Sequence, residues 1–154
     1  MRKLTITYFT LVLLLGNTGM SWSADLHKGL AAAKRGDFIT ALREWKPLAK
    51  LGNADAQYNL GVMYRAGEGV SQDNNIAAKW YTLAAEQGHA SAQYNLSTMY
   101  DNGQGVPQNY KTAMKWCRLA AEQGYALAQY NLATMYQFGH GITQDNIYAH
   151  MWYS

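Results

Sequence analysis

The chain has 154 residues, 49% of them hydrophobic and 15% charged, which fits one folded domain and excludes a disordered tail. The formal charge is +3, and no basic run interleaves with aromatics, so a nucleic-acid surface has no support. A single cysteine, Cys117, excludes a disulfide framework.

Residues 1–23 carry the pattern of a signal peptide: Arg2 and Lys3, an apolar stretch from Ile6 to Leu15, a break at Gly16-Asn17, then small residues at Ser21, Ser23 and Ala24. Ser21 and Ser23 in the −3 and −1 positions put cleavage after Ser23, with Ala24 as the alternative. The apolar stretch is roughly ten residues, short of the ~20 that a membrane-spanning helix needs. No cysteine stands at the junction to take a bacterial lipid anchor. An uncleaved anchor or a mis-assigned start is the competing reading. The expectation is a periplasmic or secreted protein whose mature chain, without Arg2 and Lys3, carries about +1.

Residues 24–52 form a degenerate pair of helices. Leu26, Leu30 and Ala33 share one helical face, Gly36-Asp37 makes a tight turn, and Phe38 to Leu51 gives a second helix ending at Gly52. Pro47 is expected to kink that helix. The unit is basic, with Lys28, Lys34, Arg35, Arg43, Lys46 and Lys50 against Asp25, Asp37 and Glu44. It reads as a terminal cap.

From residue 53 the chain repeats with a period of 36: Ala54-Asp-Ala-Gln-Tyr-Asn-Leu, Ala90-Ser-Ala-Gln-Tyr-Asn-Leu and Ala126-Leu-Ala-Gln-Tyr-Asn-Leu. Such a period marks a solenoid, in which each unit buries its apolar face only by stacking on its neighbours. The units are 53–88, 89–124 and 125–154. In each, a first helix stops at a Gly-x-Gly turn (Gly67/Gly69, Gly103/Gly105, Gly139/Gly141), with Val70, Val106 or Ile142 plugging the groove beneath. Asp73, Asn109 and Asp145 are expected to cap a second helix carrying Trp80, Trp116 and Trp152, which are expected in the core. Cys117 falls in the column of Tyr81 and Tyr153 and reads as a buried, inert thiol. Position 61 stays small, as Gly61, Ser97 and Ala133, which permits close helix approach. The third unit stops within its second helix at Ser154, so an apolar edge open to self-association is expected there.

Ala-x-Ala-Gln-Tyr-Asn-Leu-x-x-Met-Tyr, Gly-x-Gly-Val, Ala-x-x-Trp and Ala-Ala-Glu-Gln-Gly in this register resemble the Sel-one-like repeats, relatives of the tetratricopeptide repeat, over residues 37–154. The resemblance implies an all-α, right-handed solenoid of helix–turn–helix units, and a role as adaptor or partner-binding scaffold. A cysteine-rich branch of that family is linked to penicillin binding through a cysteine pair in each repeat. One cysteine does not meet that requirement.

Catalytic chemistry finds no footing. Gly67-x-Gly69 follows a helix rather than a strand and recurs, so it reads as a turn and not a nucleotide loop. His27, His89, His140 and His150 have no ligand-spaced partners, so no metal and no cofactor are expected. The reading is a non-enzymatic protein-interaction module for a protein or peptide, with a cell-envelope enzyme or small-ligand binder as the alternative. By the tetratricopeptide analogy the first helices line the concave face. Their variable columns are the candidate partner-binding residues: Asp55, Val62 and Arg65, then Ser91, Thr98 and Asp101, then Leu127, Thr134 and Gln137. The competing reading of those columns is plain solvation.

Overall fold

In the computed structural model, the described residues are Ser23, 25–140 and 142–153. The expected signal segment lies outside them except for Ser23. Among the described residues the chain is all helical: α1 (25–34), α2 (Phe38–Lys50), α3 (Ala54–Ala66), α4 (Asn74–Glu86), α5 (Ala90–Asn102), α6 (Tyr110–Glu122), α7 (Ala126–Phe138) and α8 (Asn146–Tyr153). From α2 onward each helix packs on those before and after it in sequence. That is the contact pattern of a solenoid, and the chain is one.

Local chemistry sets the helix ends. The Asp73, Asn109 and Asp145 side chains accept hydrogen bonds from the amides of Ile76, Thr112 and Tyr148, at 3.0, 2.9 and 3.1 Å. Each satisfies an amide that the first turn leaves without an internal partner. The first helices end on Gly67, Gly103 and Gly139 in the left-handed conformation, with φ of 75°, 67° and 71°. The second glycine of the turn has a separate reason. A Cβ on Gly105 would collide with the backbone of Asn74, so the turn lies directly on the preceding unit's second helix. Pro47 sits inside α2, which continues past it to Lys50.

Three buried clusters follow one another along the stack, centred on Trp45, Leu60 and Met63, on Tyr81, Leu96 and Met99, and on Cys117, Leu132 and Met135. The tryptophan expectation needs correcting. Trp80, Trp116 and Trp152 are only partly buried and pack against the edges of these clusters, and the fully buried position is the next one, Tyr81 and Cys117. The buried stripe of α4 is Ala77, Ala78, Tyr81, Ala84 and Ala85, a spacing of one, three, three and one that leaves Trp80 at the rim. Trp45 is in the same register as Tyr81 and is likewise buried, with its Nε1 donating to the Leu26 carbonyl at 3.3 Å.

The small residues on the first helices answer this column. A Cβ on Gly61 would stand 2.6 Å from the Tyr81 ring, and one on Gly29 would enter the Trp45 indole. Where the column narrows to Cys117, the facing residue grows to Ser97. Glycine here makes room for a ring rather than for a neighbouring helix backbone.

A second device holds unit to unit. Gln57, Gln93 and Gln129 each donate to the end of the preceding second helix, at Ala49, Ala85 and Ala121, over 3.0, 3.1 and 3.3 Å. Gln87 and Gln123 in turn donate to the side chains of Gln57 and Gln93, both at 2.7 Å. The identical glutamines thus form a ladder that satisfies helix-end carbonyls inside the stack.

Candidate interaction face

Successive first helices leave notches between them on one side of the stack. The first lies between α1 and α3, holds about 370 Å³, and is lined mainly by Leu30, Ala33, Phe38, Trp45, Val62 and Met63, with Lys34 and Glu68 at its rim. The third lies between α5 and α7, holds about 120 Å³, and is polar: Ser97, Thr98 and Asp101 face Asn131, Thr134 and Met135, with His140 beside them. One wall of each uses equivalent register positions, since Asn59, Val62, Met63 and Glu68 recur as Asn131, Thr134, Met135 and His140, while the facing walls differ. The stack therefore offers an apolar notch toward one end and a polar notch toward the other.

The middle position, between α3 and α5, is occupied by the protein's own side chains. Tyr81 reaches Arg65 and Asn95 there, and Tyr58 reaches Asn95. Burial pushes the Tyr81 phenol up to about 12 despite the opposing pull of the Arg65 charge. Arg65, one of the expected groove residues, is half-buried there and contacts the core tyrosine.

The polar notch has unusual electrostatics. Thr98 Oγ1 donates to the Asn95 carbonyl at 2.8 Å and Thr134 Oγ1 to the Asn131 carbonyl at 2.7 Å, so both hydroxyls keep only acceptor capacity. Asp101 Oδ1 is buried without a hydrogen-bond partner, alone in this among the described side-chain atoms. Beneath lies Cys117, whose thiol burial pushes up to about 11, with the Ser97 hydroxyl lowering it and the Asp101 charge raising it. Its Sγ donates to the Ala128 carbonyl at 3.2 Å. This thiol is protonated at neutral pH and sealed from solvent.

Of the sequence-predicted residues, the structure brings Thr98, Asp101 and Thr134 into one notch and puts Val62 in another. It does not bring Asp55, Ser91 and Leu127 to them, because these begin their helices while the others lie toward the far end. Asp55 instead pairs with His89 Nε2 at 3.4 Å, and His89 also stacks on Tyr58 with centroids 4.6 Å apart. Gln137 is exposed near the end of α7. Asn131 and His140 also line that notch and lie outside the predicted columns, because the asparagine is identical in every copy and the histidine lies past the helix in the turn.

No group of three or more His, Cys, Asp or Glu stands together for a metal among the described residues, and no described helix is long and apolar enough to cross a membrane.

A family model for the Sel1 repeat matches residues 54–89, 90–125 and 126–154, two-thirds of the chain in three consecutive units. The chain belongs to the Sel1 repeat family. Its structure is similar to a Sel1 repeat protein from Oxalobacter formigenes, at 34% identity over 84% of this chain and 51% of that one, with a TM-score of 0.79. It is also similar to a protective antigen of uropathogenic Escherichia coli strains displaying an SLR fold, at 36% identity over 93% of this chain and 32% of that one, with a TM-score of 0.83. The chain thus spans about half and a third of these two proteins. No curated protein sequence matches it. Sel1 repeats are generally non-catalytic, protein-binding scaffolds, and this chain carries their fold.

Proposed function

We propose that this Sel1 repeat chain is an exported, non-enzymatic adaptor that binds an extended segment of a partner protein across the notches between α1, α3, α5 and α7. The observation that carries the proposal is the contrast between the two notches: a shared wall position changes from apolar Val62 to polar Thr134, which faces Thr98 and Asp101. A segment laid along the face would meet a different chemistry at each step, which is how a repeat array gains specificity from modest contacts. Export rests on the signal pattern in residues 1–23, with a periplasmic or secreted destination. Exposed Leu127, Tyr130, Phe138, Ile147, Tyr148 and Met151 support self-association through the α7–α8 edge.

The test is capture of partners from envelope extract of the native host. The double variant Asp101→Lys, Thr134→Lys should lose at least about tenfold of capture with its helical spectrum unchanged. Lys79→Glu, exposed on a second helix, should capture as the parent does. The reverse result contradicts the face assignment. Mass spectrometry of the same native protein should find Ala24 or Asp25 first, and an intact Met1 contradicts export. Sedimentation showing a monomer at every concentration contradicts the self-association.

A further inference from the structure

We infer that the polar notch between α5 and α7 is an anchor for the cationic end of a lysine or arginine side chain, held by Asp101. The inference rests on the proposed binding face and names the chemistry of one of its contacts.

Three observations converge on a missing cation. Asp101 Oδ1 is buried with no hydrogen-bond partner, a state that costs free energy unless a donor arrives. Asp101 is also the penultimate residue of α5, where the helix dipole disfavours a carboxylate, and the last turn of α5 holds no basic residue to offset it. The equivalent position in α3 holds Arg65, the charge a helix end favours, so nothing in the repeat frame requires an acid there. Finally, Thr98 and Thr134 have given their hydroxyl protons to backbone carbonyls and present acceptors only. The donors on the wall, the Ser97 hydroxyl, the Asn131 amide and the His140 ring, leave Asp101 Oδ1 without a hydrogen bond.

A neutral amide or hydroxyl would supply one or two donors and leave the charge at the helix end uncompensated. An ammonium brings three donors and a guanidinium five, together with the opposing charge. The cavity of about 120 Å³ has room for such a head group and not for a large ring. The aliphatic stem of the same side chain would rest on Met135 at the notch wall.

The probes are n-butylammonium and n-propylguanidinium chloride, with N-propylurea as the neutral isostere, titrated at constant ionic strength into isotopically labelled protein. Saturable shifts of the Thr98, Asp101 and Thr134 amides are expected from at least one cation. N-propylurea should give none, and Asp101→Asn should weaken the cation by about tenfold or more. The cation that binds more tightly identifies the side chain as lysine-like or arginine-like. The inference is overturned if neither cation saturates below about 0.1 M. It is equally overturned if the urea binds alike or if Asp101→Asn leaves the shifts unchanged. Because the probes are independent of any partner, a negative result removes this anchor while capture across the wider face is judged separately.

Discussion

Tyr81 and Cys117 hold the same place in successive units, and both are sealed from water. Burial raises the phenol from its ordinary 10 to about 12 and the thiol from 9 to about 11. An acid that keeps its proton longer in the folded chain loses stabilisation once the unfolded chain can ionise. Stability should thus be full below pH 9 and decline between 9 and 12, by up to about 1.4 kcal/mol per pH unit for each group within its window. Denaturant midpoints measured across that range in the parent and in Cys117→Ala check this. The variant should begin its decline near pH 10 rather than 9. A variant and parent with parallel slopes would mean that the thiol titrates normally in the folded protein. The burial of Cys117 was legible in the sequence from its alignment with Tyr81. The unsatisfied oxygen of Asp101 was not, because it depends on rotamers and on α7, one unit away.

Pairing of large with small side chains is what joins the two helices of a unit. Gly61 faces Tyr81, Gly29 faces Trp45, and Ser97 stands by Cys117. Gly61→Ser alone should destabilise by about 1–3 kcal/mol, since the ring has no space to retreat. Tyr81→Cys alone should cost about 3–5 kcal/mol through the void it leaves. Combined, they recreate the pair of the next unit, and their costs should fall short of additive by about 1 kcal/mol or more in a double-mutant cycle. Additive costs would show that the two positions are packed independently. The period, the caps and the glycine turns were readable because each has a local physical cause. The choice between Trp80 and Tyr81 was harder, since adjacent aromatics both fit a helical spacing until the alanines at 77, 84 and 85 fix the stripe. The glutamine ladder left a signal too: one polar residue held identical inside an apolar phrase, as Gln57, Gln93 and Gln129 are, points to a buried hydrogen bond.

Across the whole stack the two ends differ. Tyr58 and Tyr94 are half-buried against His89 and Tyr125, and the equivalent Tyr130 is more exposed. The opposite sides of the stack differ as well: one presents the notches of the first helices, the other the outward lysines of the second helices, Lys79 and Lys115. The alternation of helices told which elements share a side, and the repeat phrase told which columns vary. Which of those columns open into cavities depended on side chains from neighbouring units, as the contact of Tyr81 with Asn95 shows. The central claim is that the notched side takes the partner. Hydrogen exchange of the free protein against its complex with the captured partner tests it most directly. The account predicts added protection in the second halves of α5 and α7, around Thr98–Asn102 and Thr134–Phe138, with α4 and α6 unchanged. Protection confined to α4 and α6 would contradict it.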